Sequence, residues 1–262
     1  MKNIIINGYN SYIASIFYNK YKNKLKILNY KKDINDIKLF KIFLKKKKFE
    51  YFIHFAGLSR KKCVFNKRLC SKTNFLAIKN KIDYLNTLKN KPMFIFISSS
   101  HVYDYSDKKI KEEFKKKPKD LYGELKLKSE NYIRKNYNNY CILRLFNIYG
   151  KDQPSSYFVS DINKKILDNR EIVIDNSIRD FINAKYVAKI IYFIISNNIN
   201  DIINIGTGKG LSLLSIVKKI AQINKKKALV KIRKSSTKLV ADISLLKSYG
   251  FKLKNNEKNF NI

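Results

Sequence analysis

Phe94-Ile95-Phe96-Ile97-Ser98-Ser99-Ser100-His101-Val102-Tyr103 is followed, further along the chain, by Leu121-Tyr122-Gly123-Glu124-Leu125-Lys126. The first run reads as a buried strand, apolar and then stopped by hydroxyls. The second begins a helix, and a Lys four residues after Tyr122 stands on the same helical face. A phenol in water keeps its proton to pH ~10. An ammonium fixed beside it favours the phenolate and brings Tyr into range for proton exchange with an alcohol or ketone. A serine hydroxyl at the strand end is suited to hold the same substrate oxygen. The spacing alone carries no weight, because Tyr18/Lys22 and Tyr105/Lys109 repeat it in this Lys-rich chain. Context separates the third pair: an apolar strand ending in Ser, then a helix carrying both side chains.

Towards the N-terminus, Lys2 to Asn7 reads as another buried strand, followed by Gly8-Tyr9-Asn10-Ser11-Tyr12-Ile13-Ala14 and a helical pattern to about Tyr21. Strand, tight turn and helix start form a phosphate-binding arrangement, in which small residues let the backbone approach a pyrophosphate. Of the three glycines in the usual fingerprint only Gly8 is present, with Ser11 and Ala14 as small substitutes. A second strand, Leu25 to Asn29, ends without an acid at Asn29-Tyr30-Lys31-Lys32, which leans towards NADP over NAD. Asp33-Ile34-Asn35-Asp36 opens a helix with capping residues. Phe49 to Phe55 is the next strand, and a long helix from about Asn66 to Lys89 leads back to Phe94. Beyond the Tyr122 helix lies a strand at Tyr140 to Phe146. The rest alternates less regularly, with a strand near Ile172-Val173-Ile174 and a helix at Val187 to Ile195. Alternating strands and helices imply an α/β fold with a parallel sheet covered on both faces.

The 262 residues suffice for one sizeable core, or for a large domain and a small lobe. No window has the ~20 apolar residues of a membrane span, and the N-terminus lacks the features of a secretory leader. Cys63, Cys70 and Cys141 are few, odd in number and without metal-ligand spacing, which suits a reducing cytoplasm. With only His54 and His101 as histidines, no metal site is expected. The net charge of +36 raises the alternative of a polyanion binder. Lys, Asn, Ile, Tyr and Phe are all abundant, however, and the lysines are scattered, as an AT-rich coding sequence would give. No specific nucleic-acid partner is expected.

Several motifs in register carry a resemblance. They are Gly8-x-x-Ser11-x-x-Ala14, His54-Phe55-Ala56-Gly57, Asn74, Ser98-Ser99-Ser100-His101-Val102-Tyr103 and Tyr122-Gly123-x-x-Lys126. Further on come Arg144-Leu145-Phe146-Asn147-Ile148-Tyr149-Gly150, Arg179-Asp180-Phe181-Ile182, Asn204-Ile205-Gly206-Thr207-Gly208 and Ala241-Asp242-Ile243-Ser244. Over nearly its whole length the chain resembles an extended short-chain dehydrogenase/reductase of the NAD-dependent epimerase/dehydratase family, enzymes that remodel nucleotide-activated sugars. The resemblance implies a Rossmann-like doubly wound parallel sheet, with a dinucleotide-binding core over residues 1–150 and a small substrate-binding lobe within 151–262. It implies Tyr122 as proton donor and acceptor, Lys126 as its partner, and Ser99 at the place of the catalytic Ser or Thr. The implied NAD or NADP contacts are Gly8, Ser11, Tyr12, Ile13, Asn29, Lys31, Asp33, Ile34, Phe55, Ala56, Gly57, Asn74 and Ile97, with Tyr122 and Lys126. Ser100, His101, Asn147, Arg179 and Arg233 are implied for the nucleotide sugar. A homodimer is compatible with the family.

Some positions depart from the pattern. Where dehydratases of the family carry an Asp-Glu pair, this chain has Ser100 and His101, so 4,6-dehydration is not expected. Tyr186 replaces an Asp at a helix start, the segment from Asn29 to Asp33 is short, and the chain stops at Ile262 where relatives add a helix. The expected activity is hydride transfer at a sugar carbon, as an epimerase or 4-ketoreductase. The alternative is a non-catalytic protein binding NAD(P) or a polyanion on the same fold.

Overall fold

Short β-rich apolar runs alternate with amphipathic segments, and the computed structural model, which describes residues 1–254 and Phe260, folds them accordingly. In chain order the elements begin with β1 (Asn3–Asn7), α1 (Tyr12–Tyr21), β2 (Lys26–Tyr30), α2 (Ile37–Leu44), β3 (Tyr51–His54), α3 (Arg60–Phe65) and α4 (Lys67–Ser71). A π turn at Lys72–Leu76 leads into α5 (Ala77–Asn86), β4 (Met93–Ser99), a 3-10 turn at Ser100–Val102, α6 (Leu121–Asn136) and β5 (Tyr140–Leu145). Then follow β6 (Asn147–Tyr149), α7 (Phe158–Leu167), β7 (Ile172–Asp175), β8 (Ile178–Asn183), α8 (Ala184–Ser196), β9 (Ile202–Ile205) and β10 (Gly210–Ser212). The last are α9 (Leu213–Ile223), β11 (Val230–Arg233), β12 (Lys238–Leu239) and α10 (Ser244–Ser248).

The first compact unit comprises Met1–Asp104, Lys115–Arg144 and Ala188–Ile203. It is built on a six-stranded parallel sheet of order β2-β1-β3-β4-β5-β9. Ile5, Phe52 and Phe94 stand in one row across β1, β3 and β4. The two rings of that row stack with centroids 5.7 Å apart. Phe40 and Leu44 of α2, Ile78, Ile82 and Leu85 of α5, and Ile133 of α6 close over the same face. Each such side chain contributes about 1.5–3 kcal/mol when fully buried. On α1, Phe17 packs against Phe55, and Tyr21 stacks on Tyr192 of α8 at 4.3 Å. Helices thus lie on both faces, as a doubly wound sheet requires.

The second unit gathers Tyr105–Phe114, Leu145–Val187 and Asn204–Ile262, so the chain passes between the units several times. Its small sheet runs β10-β8-β12, with β6 beside β8, and a separate pair joins β11 to β7. Val159, Ile162 and Ile166 of α7, Ile216, Val217 and Ile220 of α9, Phe181 and Phe260 form its core. The fully buried Asp180 carboxylate accepts hydrogen bonds from Thr207 N, Thr207 Oγ1 and Gly208 N at 2.6–2.9 Å.

The long helical segment expected from about Asn66 to Lys89 runs from Lys67 to Asn86 as α4, the π turn and α5, preceded by α3. Asn74, in the π turn, exchanges two hydrogen bonds with the backbone of Leu58, and its carbonyl accepts Ser129 Oγ at 2.7 Å. Those ties hold the wide turn in place. Cys63 and Cys70 are joined as a disulfide, with Cα atoms 5.0 Å apart, a pairing that the number and spacing of the cysteines did not suggest. Asn66 departs from helical geometry to end α3 and caps α4, accepting Leu69 N at 2.8 Å, and this bend brings the cysteines together. Cys141 is a buried free thiol whose pKa burial pushes up to about 12. Among the described residues no helix is long and apolar enough to cross a membrane.

Candidate active site

Helix α6 starts at Leu121 because Asp120 caps it: the residue is extended, and its Oδ1 accepts Gly123 N at 2.9 Å. That start sets Tyr122 and Lys126 one turn apart. Gly123 lies against the 3-10 turn, where a side chain would run into the His101 carbonyl. Absence of a Cβ therefore lets the Tyr122 turn sit directly on the end of β4. Ser99, the last residue of β4, accepts the His101 N–H at 3.3 Å, while Ser98 Oγ donates to Glu130. Lys126 is 5% exposed; its Nζ donates to the Ile97 carbonyl at 2.7 Å. The same ammonium stands 4.7 Å from the Phe96 ring centroid and 5.8 Å from that of Tyr122. Desolvation pushes the Lys126 pKa down to about 8, against the opposing pull of Glu130.

Beneath this surface lies a buried pair that the sequence reading missed. Arg144 NH2 meets Glu130 Oε2 at 2.6 Å, with both side chains 1% exposed, and Arg144 NH1 donates to Tyr103 OH at 2.7 Å. It fastens α6 to β5 and to the segment after β4. The signal was present: Glu130 follows Tyr122 and Lys126 at the same four-residue step on one helix.

At the other end of the strand row, Gly8 takes φ +70°, and a Cβ there would lie 2.5 Å from Ala56 N. Only glycine lets the ends of β1 and β3 approach so closely. The first turn of α1, with Tyr12 and Ile13, has no acidic residue. Its N-terminal N–H groups therefore favour an anion. Ser11 Oγ, Asn7 Oδ1 and Asn29 Oδ1 are buried without a hydrogen-bond partner. Orphaned polar atoms around a glycine cradle fit a polar ligand such as a dinucleotide. Lys31 Nζ lies 5.6 Å over the Tyr9 ring. Asp33 shapes the next turn by accepting Asn35 N, and the Ile34 carbonyl accepts Lys81 Nζ. Phe55 and Ala56 are buried behind the cradle. Gly57 lies beside Asn74 Oδ1 and Lys126 Nζ, 3.2 and 3.6 Å from where its Cβ would be. His54 is neutral, since burial and then the charges of Lys81 and Lys126 drive its pKa well down.

His101 Nδ1 lies 3.5 Å from Asp120 Oδ2, the oxygen that also receives Arg60 Nε at 2.6 Å. Its ring meets Tyr122 edge-on with centroids 5.6 Å apart. Ser100 accepts Tyr103 N in the same turn. Neither Asp120 nor Arg60 was singled out in the sequence, although Asp120 has the N-cap signature before a helix.

Three expected substrate residues belong to the second unit. Asn147 Nδ2 donates to the Asp180 carbonyl at 3.1 Å. Arg179 binds the Thr237 carbonyl at 2.7 Å and its Oγ1 at 2.6 Å, with the guanidinium 5.1 Å over Tyr105. The neighbouring Asp180 carboxylate is instead held by backbone N–H groups. Arg233 is exposed at the end of β11.

The sequence profile of the NAD dependent epimerase/dehydratase family matches residues 11–206. The chain belongs to this family. An ADP-L-glycero-D-manno-heptose-6-epimerase of Brachyspira hyodysenteriae is 25% identical over 234 residues, covering 78% of this chain and 72% of that protein. A dTDP-D-glucose 4,6-dehydratase of Dictyostelium discoideum is 25% identical over 224 residues, covering 76% and 51% respectively. The chain thus spans about half the length of that dehydratase. Among solved structures, a UDP-glucose 4-epimerase of Thermus thermophilus complexed with NAD superposes with a TM-score of 0.84 at 16% identity, over 98% of this chain and 96% of that one. At this identity the likeness establishes the Rossmann-like fold. The expectation against 4,6-dehydration draws no support from family relatives that include a dehydratase, and it is not carried further.

Proposed function

We propose that the chain is an NAD-dependent enzyme acting on a nucleotide sugar, as an epimerase or 4-ketoreductase. The observation that carries this is the joining of Tyr122 and Lys126 on α6 to the Ser99 end of β4, through the close approach at Gly123. The Gly8 cradle, the acid-free start of α1 and the orphaned atoms of Asn7, Ser11 and Asn29 support a dinucleotide beside it. NAD supplies a nicotinamide that accepts or returns hydride at a sugar carbon. NAD is named both by the family description and by the epimerase structure, whereas the lean towards NADP rests on Asn29 and Lys31 alone.

In this reading Tyr122 takes the proton from the sugar hydroxyl as it becomes a ketone and gives it back on reduction. Ser99 holds the same oxygen. Lys126, anchored on the Ile97 carbonyl, places a positive charge near the phenol. Gly8, Ser11, Tyr12 and Ile13 receive the cofactor phosphates, and Phe55, Ala56, Gly57 and Asn74 shape the floor around it. Arg179 and Asn147 are the assigned holders of the sugar-nucleotide diphosphate, a task suited to charge-assisted bonds.

The test is turnover of UDP-, dTDP-, CDP-, GDP- and ADP-sugars by Tyr122→Phe and Lys126→Ala. Tyr122→Phe is expected to lose at least the ~10² of general acid-base catalysis while still binding NAD in calorimetry. Lys126→Ala is expected to lose both activity and affinity. Normal turnover by the Phe variant would refute the mechanism.

A further inference from the structure

Residues 60–70 comprise α3, the bend at Asn66 and α4, and of these only Cys63 and Cys70 are buried. Every other residue of the run is exposed, Val64 and Phe65 at 69% and 80%. Two short helices that bury one side chain each have little else to hold them. The disulfide is therefore what fastens this strap. It is fastened against the turn that carries Tyr122. The two cysteines pack on Leu125, and Leu121 and Tyr122 of α6 close around the same cluster with Leu58 and Phe75. Asn74 Nδ2 donates to both sulfurs at 3.5 Å and to the Leu58 carbonyl at 3.0 Å, which ties the pair to the residue after Gly57. Arg60, at the start of the strap, binds Asp120, the cap of α6. The run holds Arg60, Lys61, Lys62, Lys67 and Arg68 and no acid. Cations near a sulfur favour its thiolate, the form that attacks and leaves in disulfide exchange. In a reducing compartment, a disulfide is usually a transient or redox-sensing one.

We propose that Cys63–Cys70 is a reversible thiol–disulfide modification site for a small anionic thiol, and that its state decides how firmly the first turn of α6 is held. The cations of the strap draw the anionic thiol to it. Opening of α3 uncovers Cys63, the less deeply buried of the two, at 2% exposure against 0%. The incoming thiolate attacks Cys63 Sγ, the S–S bond breaks, and its electron pair leaves on Cys70 as a thiolate. A mixed disulfide then joins Cys63 to the small thiol. A second thiolate attacks the outer sulfur of that bond, releasing Cys63 and forming the small-molecule disulfide. The two protons given up by the attacking thiols end on the protein sulfurs, so the protein gains two electrons. Reversal, with the small-molecule disulfide as oxidant, restores the link. With the link cut, the strap opens more often. In the open form Arg60 parts from Asp120, and Leu121, Tyr122 and Leu125 lose a packing partner. This inference goes beyond the function proposed above and does not rest on it.

The experiment equilibrates the whole chain in glutathione buffers from fully oxidised to fully reduced, then denatures it and alkylates the free thiols. Cys141 is free in both states, so mass spectrometry should read one adduct per chain when the pair is oxidised and three when it is reduced. The count is expected to pass from one to three within the glutathione series, and to return to one in oxidised buffer. Backbone hydrogen exchange at residues 60–71 should quicken ~10-fold or more on reduction, as loss of a short covalent loop implies. Residues 121–125 should quicken with them, while β4 stays unchanged. Cys63→Ala/Cys70→Ala should show the fast exchange in every buffer and no response to glutathione. Its melting curve checks that it folds; should it not fold, the wild-type series alone decides. One adduct at every glutathione ratio would make the link a permanent one and overturn the proposal. Three adducts with unchanged exchange at 60–71, or at 121–125, would overturn it too. So would a glutathione response that persists in the double Ala variant.

Discussion

Burial pushes the Lys126 ammonium from its ordinary value of 10.5 to about 8, and stability and activity respond to this in opposite directions. Between about pH 8 and 10.5 the unfolded chain holds a proton that the native state has released. The unfolded state then binds more protons, so this residue makes stability rise with pH across that window. Activity should fall over the same interval, because the positive charge beside Tyr122 disappears. We expect kcat/KM to decline towards a tenfold loss per pH unit above about 8, read from a pH–rate profile with stability followed in parallel. A rate that holds to pH 10 would show that the ammonium is dispensable. Ser99 was legible as a candidate at the polar end of an apolar run, and Tyr122 and Lys126 as a pair one helical turn apart following that strand. Asp120, His101 and Arg60 meet only in space: a cap, a turn and the first residue of a short helix share no sequence period.

Between elements, the Glu130–Arg144 pair does what no single segment announces. It joins α6 to β5 in a water-free setting, with Tyr103 and Ser98 completing its hydrogen bonds. Removing one partner leaves a buried charge uncompensated, which typically costs 3–5 kcal/mol. Arg144→Met should therefore lower unfolding free energy by about that much in urea titrations. The double variant Glu130→Leu/Arg144→Met should recover most of the loss; if it is no better than the single change, packing and not charge governs the site. The strands of the first unit were readable as apolar runs such as Phe94 to Ile97. In the second, β7 was readable from Ile172-Val173-Ile174, but β8 was not, since it carries Arg179 and Asp180 within the strand. Asp180 is tolerated there only because Thr207, Gly208 and Ala241 bring N–H groups to it from far along the chain. The amphipathic helices α7 and α9 also escaped notice, their apolar stripes interrupted by lysines.

Over the whole molecule, a net charge of +36 is spread across both units as scattered lysines. Such a field attracts polyanions without selecting among them. Duplex DNA should bind at about 10⁻⁴–10⁻⁶ M near physiological salt, without sequence preference, and weaken steeply as salt rises. Fluorescence anisotropy with two unrelated duplexes across a salt series checks this, and tight, salt-resistant binding would favour a polyanion-binding role over the enzyme. The division of the chain into interleaved units was not legible, because no low-complexity linker marks the points where the chain crosses between them.

Interleaving also sets an order of events at the ribosome. Strand β5 is complete at Leu145, but its outer neighbour β9 is not made until Ile202–Ile205, after the chain has laid down Leu145–Val187 for the other unit. At synthesis rates of about 5–20 residues per second, the nascent sheet waits several seconds with β5 as its open margin. That margin is Cys141-Ile142-Leu143-Arg144-Leu145, buried along its length once folding ends. An unpaired apolar strand edge is a template for pairing with other chains. The growing polypeptide thus carries an uncovered apolar edge during a defined interval of its own translation, and the arrival of β9 is what covers it.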